Sequence, residues 1–135
     1  MVRYLTGDRL FRLEYGEAHV ALRAGAAPEQ PDNVVQPFLG QRMALYASRS
    51  YVAEHGMLNG VEDMENHRFV GADNPDSRAP FERWLRANVN DDRIAFRCSD
   101  PTTAHEAVLA GAGIGFFTLW EAVGEPDLVQ MMEPK

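Results

Sequence analysis

The stretch of residues 93–118, RIAFRCSDPTTAHEAVLAGAGIGFFT, constrains the fold of this chain more than any other part of it. It opens with IAFRC, an apolar run of the β-branched and aromatic residues that favour strands. Ser99 or Asp100 can then cap a helix, and the proline that follows suits its first turn. Gly111 and Gly113 are expected to end that helix, and IGFF predicts a second strand. The pattern therefore predicts a βαβ unit with two parallel strands and a right-handed crossover.

The turn between the first strand and the helix is a candidate site for a small anion. Unpaired backbone N–H groups and the positive end of the helix dipole meet there. Hydroxyl groups at Ser99, Thr102 and Thr103 surround the same helix end. A helix N-terminus that follows a parallel strand often binds anionic groups in α/β proteins. The carboxylate of Asp100 is the competing group, since it can cap the helix itself and repel an anion.

The rest of the chain continues an α/β pattern. Short apolar runs predict strands at 2–5, 19–22, 43–47, 67–71 and 128–132. Capping signals and helical spacing predict helices at 9–15, 49–54, 58–66, from 80 onward and at 119–123. Residues 2–22 thus form a second predicted βαβ unit. In the helix that begins at Pro80, Phe81, Trp84 and Leu85 recur at i, i+3 and i+4, which predicts one packed face.

Length, charge and cysteine content exclude several classes of protein. A chain of 135 residues fits one domain or two small lobes. Its net charge of −7 argues against direct binding of a nucleic-acid backbone. Cys98 is the only cysteine, which excludes an internal disulfide; it is either a reactive thiol before a helix or a small hydrophobe within a strand, and we favour the second interpretation. Because no membrane-length apolar run or secretion leader is present, a cytoplasmic location is expected.

Motifs typical of catalysis, metal binding and nucleotide binding are absent from the sequence. There is no G-x-S-x-G, no G-x-x-x-x-G-K and no H-E-x-x-H. The run GAGIG at 111–115 closes a helix and opens a strand, the reverse of a dinucleotide-binding loop. His105 and Glu106 have no third ligand at metal spacing and are interpreted as a solvated pair. The other histidines are scattered, at positions 19, 55 and 67. We therefore expect no enzyme, no metal site and no cofactor.

A series of segments, in order, resembles the effector-binding domain of LysR-type transcriptional regulators. The segments are GEAHVALRAG at 16–25, LGQRMALYASRSYVAEHG at 39–56, VEDMENHRFVG at 61–71, PFERWLRAN at 80–88, RIAFRCSD at 93–100, AVLAGAGIGFF at 107–117 and EPDLVQMMEP at 125–134. Each segment alone is weak evidence for the family, whereas the ordered series is specific to it and covers nearly the whole chain. One departure is His19, where the family usually carries Asp.

The resemblance implies a two-lobed α/β fold of the periplasmic-binding-protein-like type 2 class, with the ligand in the cleft between the lobes. Residues 1–42 and a return strand within 127–135 would belong to an incomplete first lobe, and residues 43–126 to a complete second lobe. The family's DNA-binding winged helix-turn-helix has no counterpart in this sequence. The chain is thus expected to be an expression fragment or a truncated gene product that binds effector poorly or not at all on its own.

The resemblance also implies a function. A small anionic metabolite, such as a carboxylate, would bind in the cleft and change how a homo-oligomer holds promoter DNA. The strand ends at 23–25 and 117–118 would face the cleft together with the helix N-terminus. The candidate effector-binding residues are then Arg23, Gly25, Ser99, Thr102, Thr103 and Thr118. Arg23 could pair with a carboxylate, or be an exposed structural arginine.

Two other classes of function share an α/β scaffold. A solute-binding protein of a transport system would have the same fold, but should carry a secretion signal or a lipoprotein cysteine. An enzyme would need a nucleophile beside a base, and the sequence shows no such pair.

Overall fold

A computed structural model describes residues 1–5, 13, 16–22, 34, 36 and 40–134 of the chain. The chain divides into two compact units, Met1–Gly40 and Gln41–Lys135. The helices and strands named below all lie in the second unit.

The second unit alternates strands and helices. Its strands are β1 (Met43–Ser48), β2 (Phe69–Ala72), β3 (Ile94–Cys98), β4 (Gly115–Thr118) and β5 (Leu128–Met132). Its α-helices are α1 (Arg49–His55), α2 (Pro80–Asn88), α3 (Pro101–Leu109) and α4 (Leu119–Val123). Short 3-10 helices cover Val61–Asn66 and Asp91–Arg93. The predicted α/β class is confirmed, and each of these strands and α-helices lies close to its predicted position.

The strands form two sheets, one of three strands in the order β4-β1-β5 and one of two strands, β2-β3. A single parallel bridge joins them into one mixed layer, which we call the sheet. β2 pairs with β3 in parallel, and Phe69 forms a parallel bridge with Ile114 just before β4. The Val70 N–H donates to the Ile114 carbonyl at 2.9 Å across that bridge. β1 pairs antiparallel with both β4 and β5. β3, α3 and β4 therefore form the predicted βαβ unit, and β2 lies between its two parallel strands.

Helices cover both faces of this sheet. Successive residues of β1 point to opposite faces and are buried on both, as expected for a strand between two helical layers. On one face α3 packs against β1 and β4, in a cluster of Ala44, Tyr46, Val70, Val108 and Phe117. On the other face α1 and α2 complete a larger cluster of Leu45, Ala47, Tyr51, Leu58, Met64, Phe69, Leu85, Val89, Ile114 and Met131.

The apolar face predicted for α2 is a packing face. Leu85 is buried in the larger cluster, and Trp84 packs against it. The rings of Phe81 and Trp84 each lie 5.7 Å from the ring of Phe116. These contacts confirm the interpretation of the stripe as core.

The glycine run at 111–115 serves two different purposes. Gly111 has φ 88°, the left-handed conformation that ends α3. A Cβ on Gly113 would lie 2.9 Å from the Arg68 carbonyl oxygen, and one on Gly115 would lie 2.6 Å from Val108 Cγ2. The prediction that Gly111 ends the helix is therefore correct. Gly113 does not end it and has another role: the chain before β4 approaches the chain before β2 so closely there that a side chain would not fit.

The first unit differs from its prediction at the two predicted strands. Residues 2–5 and 19–22 form no strand. Val2, Tyr4, Val20 and Leu22 are 69–92% exposed. An apolar run makes a segment able to enter a sheet, but a strand also needs a neighbour that pairs with its backbone groups. The strands predicted for the βαβ unit at 2–22 are thus wrong, and its helix at 9–15 lies outside the described residues except for Leu13.

The segment 127–135 was expected to return to the first lobe. Its strand β5 pairs with β1, with Val129 opposite Ala47 and Leu128 opposite Ser48. By its hydrogen bonds β5 thus belongs to the sheet of the second unit. The assignment of residues 1–42 and 43–126 to two lobes stays a prediction.

Candidate functional site

Three parallel strands end along one edge of the sheet, which we call the carboxyl edge (residues 72–73, 98–103 and 118–121). β2 ends there at Ala72, β3 at Cys98 and β4 at Thr118. Ligands of open α/β sheets bind outside the carboxyl ends of the strands. Four of the predicted site residues lie on this edge, namely Ser99, Thr102, Thr103 and Thr118. Arg23 and Gly25 lie outside the described residues.

Asp100 caps α3 and uses most of the donors at its N-terminus. Its Oδ1 accepts the Thr103 N–H at 3.0 Å, and its Oδ2 accepts the Thr103 hydroxyl at 2.6 Å. The Ala104 N–H donates to the Asp100 carbonyl at 3.2 Å. Pro101 has no N–H to offer. Of the first-turn donors, only the Thr102 N–H has no hydrogen-bond partner among the described residues.

The three predicted hydroxyl groups differ in whether they are already hydrogen-bonded. Ser99 and Thr102 are exposed, and their hydroxyls form no hydrogen bond within the described part of the chain. Thr103 donates both its N–H and its hydroxyl hydrogen to Asp100, so these two donors are already in use, and its role in effector binding stays a prediction. The donors that remain for an anion are the two hydroxyls and the backbone N–H of Thr102.

Asp100 also sets the charge at this end of α3. The hydroxyl and the backbone N–H of Thr103 lower the pKa of the Asp100 carboxyl below its usual value. The carboxylate is therefore ionised at neutral pH, beside the position that a bound anion would take. The capping role of Asp100 considered from the sequence is confirmed, and its repulsion of an anion stays a prediction.

Thr118 is used in a capping box at the start of α4. Its hydroxyl accepts the Glu121 N–H at 3.0 Å, and Glu121 Oε1 accepts the Thr118 N–H at 2.9 Å. A threonine followed three residues later by a glutamate is the signature of this motif. The letters TLWE at 118–121 could therefore have shown that Thr118 has a structural role.

His105 connects α3 to that capping box. Its ring stacks on Phe117, with ring centroids 4.1 Å apart. Its Nδ1 lies 3.3 Å from Glu121 Oε2, and its side chain is only 26% exposed. The interpretation of His105 as a solvated residue is therefore wrong. The signal that was missed is its spacing of three residues from Val108, which places both on the inner face of α3.

The sequence matches the family of LysR substrate binding domains over residues 2–132. The chain belongs to this family. No curated protein sequence matches it significantly. Solved structures with the same fold include full-length CbnR in complex with its target DNA, at 18% identity and a TM-score of 0.58 over 83% of this chain and 40% of that one. They also include the CrgA regulatory domain from Neisseria meningitidis, a LysR-type transcriptional regulator, at 20% identity and a TM-score of 0.53 over 70% of this chain and 51% of that one.

A third similar fold is that of full-length AphB, a virulence activator of Vibrio cholerae. It is 22% identical, with a TM-score of 0.55 over 77% of this chain and 37% of that one. This LysR substrate binding domain therefore spans about half, or less, of the solved proteins that it matches.

Cys98 has a structural place in this LysR substrate binding domain. Its thiol donates to the Asp100 carbonyl at 3.4 Å. Burial raises the pKa of the thiol, and the carboxylates of Asp100, Glu82 and Asp73 raise it further. A thiol that stays protonated is a poor nucleophile, so the structural interpretation of Cys98 is favoured.

The described residues contain neither a candidate metal site nor a candidate membrane span. No group of three His, Cys, Asp or Glu side chains among them could hold a metal ion. No helix within the same residues is both long enough and apolar enough to cross a membrane.

Proposed function

We propose that this chain is the effector-sensing domain of a LysR-type transcriptional regulator and that it binds a small anionic metabolite at the carboxyl edge. The observation that carries the proposal is the pair of exposed hydroxyls of Ser99 and Thr102 at the start of α3, in a chain of this family. Helix α3 adds the favourable end of its dipole, which contributes about 0.3–1 kcal/mol to the binding of an anion.

The donors and the carboxylate at the carboxyl edge indicate which chemical groups a ligand should carry. A carboxylate can accept hydrogen bonds from the Thr102 N–H and from the two hydroxyls. The ionised Asp100 beside them disfavours a ligand that is purely anionic. A hydroxyl or amino group next to the ligand carboxylate would donate to Asp100 and offset that repulsion. We therefore propose hydroxycarboxylic or amino acids as the first class to test.

The proposed consequence of binding is regulatory. A ligand that prefers one arrangement of the domain shifts the population toward that arrangement. Because the chain carries a net charge of −7, we propose that contacts to DNA are made by residues outside this sequence. Membership of the family favours this function over solute transport and over catalysis.

A thermal-shift screen tests the proposal. Hydroxycarboxylates and amino acids are compared with their neutral amides, and the best ligand is then titrated calorimetrically. Ser99→Ala and Thr102→Ala should each weaken binding by about 1–2 kcal/mol, roughly 5- to 30-fold in affinity, while leaving folding unchanged.

The matched control is Ser77→Ala, which removes a hydroxyl from the loop before α2 and should leave the affinity unchanged. The proposal fails if carboxylates stabilise the protein no more than the amides do. It also fails if both edge variants bind the best carboxylate as well as the parent protein does.

A further inference from the structure

Arg42 lies where the chain enters the second unit, just beyond the division between Gly40 and Gln41. Its backbone carbonyl accepts the N–H of Leu119 at 3.0 Å. Leu119 is the first residue of α4, directly after the cap residue Thr118. The entry segment is thereby hydrogen-bonded to the turn that carries one of the candidate site residues.

The side chain of Arg42 joins the same segment to the end of β5. Its Nε donates to Glu133 Oε1 at 2.9 Å, and a second guanidinium nitrogen contacts the same oxygen. The β1–β5 ladder shifts its register after Leu45, whose partner is Met132. Glu133 follows the last residue of β5, so the ion pair extends the contact between the two strands beyond their backbone pairing.

We propose that Arg42 is a positioning residue for Thr118. The ion pair with Glu133 holds the entry segment, and the entry segment holds the start of α4 through the bond to Leu119. Both charged side chains are exposed, at 72% and 39%, so salt should weaken the pair. This inference rests on the proposed function in one respect, namely that Thr118 lies at an edge that binds ligand.

Hydrogen exchange of the Leu119 amide, measured by NMR, tests the inference. Arg42→Gln and Glu133→Gln should each speed this exchange roughly twofold to fivefold, since exposed pairs contribute little energy. The charge swap Arg42→Glu with Glu133→Arg should restore slow exchange, and added salt should speed exchange in the parent protein. Arg97→Gln is the control, because it breaks another exposed pair, in which Arg97 lies 3.2 Å from Asp91, and should leave Leu119 unchanged.

Three results would overturn the inference. One is an unchanged Leu119 exchange rate in both single variants. Another is equal acceleration of all amides, which would indicate a global loss of stability. The third is a charge swap that fails to restore protection. Since neither Ser99 nor Thr102 is altered, the binding test of the proposed function remains separate from this one.

Discussion

At the start of α3, Asp100 and an incoming anion would compete for the same few donors. The carboxylate already accepts the N–H and the hydroxyl of Thr103. Residue types alone suggested three hydroxyl donors at this position, whereas the geometry leaves those of Ser99 and Thr102. A side chain that caps a helix can therefore reduce the number of donors that a predicted anion site offers.

A buried network around Tyr51 leads to the first prediction. Its hydroxyl accepts the Arg68 N–H at 3.0 Å and lies 2.8 Å from Nδ1 of His67, which is 1% exposed. Tyr51→Phe leaves both partners without this bond and should lower the free energy of unfolding by about 1–3 kcal/mol in chemical denaturation. Tyr46→Phe is the control, because its hydroxyl makes one long bond of 3.4 Å to Gln130. If the two variants lost equal and small amounts of unfolding free energy, the network would not contribute to stability as predicted.

The pH dependence of stability gives a second prediction, at Asp63. Hydrogen bonds from the Asn66 side chain and the Asn59 N–H lower the pKa of this carboxyl, and His67 lowers it further. A carboxyl whose pKa is lower in the folded state stabilises the fold above its unfolded pKa of about 3.9, and this contribution is lost as the pH falls through the folded value.

Asp63→Asn should therefore make the loss of stability in acid less steep, as measured by thermal unfolding from neutral pH down to about pH 3. Asp92→Asn removes the same charge from a residue whose nearest ionic contact, to Arg93, is 3.9 Å long, and serves as the control. An acid dependence that is unchanged in Asp63→Asn would contradict the assignment.

At the scale of the elements, the helix caps and helix ends were predicted correctly, because residues close in sequence determine them. Ser48 caps α1, Asp100 caps α3, and Gly56, with φ 78°, ends α1. Each of these features depends on residues a few positions apart, so it can be recognised in the sequence. The strands predicted at 2–5 and 19–22 failed because a strand depends on a partner that local sequence does not specify.

The close packing of β4 against α3 gives the third prediction. Gly115→Ala would place a methyl group 2.6 Å from Val108 Cγ2, in a cluster where Val108 is 1% exposed. The free energy of unfolding should fall by about 1–3 kcal/mol. The double variant with Val108→Ala should recover part of that loss, because it removes the methyl group in conflict. Gly40→Ala, with nothing within 4 Å of the added Cβ, is the control. If Gly115→Ala were as stable as the parent protein, the described packing would be wrong.

At the scale of the whole molecule, the described surface carries many large apolar side chains. Val2 and Val34 in the first unit are each 92% exposed, and Trp120 and Val123 on α4 are 82% and 85% exposed. Trp120 and Val123 are three residues apart and therefore neighbours on the surface of α4, and an exposed apolar patch often marks an interaction surface. We therefore predict self-association, seen as a mass that rises with concentration in light scattering. A constant monomer mass at high concentration would contradict this prediction.

Binding of the effector at the carboxyl edge, as proposed above, can be tested by an NMR titration with the best carboxylate. We expect the largest amide shift changes at residues 98–103 and 118–121, with smaller changes at the opposite edge of the sheet. Changes concentrated at the amino ends of β2, β3 and β4, around Arg68, Arg93 and Gly113, would contradict it.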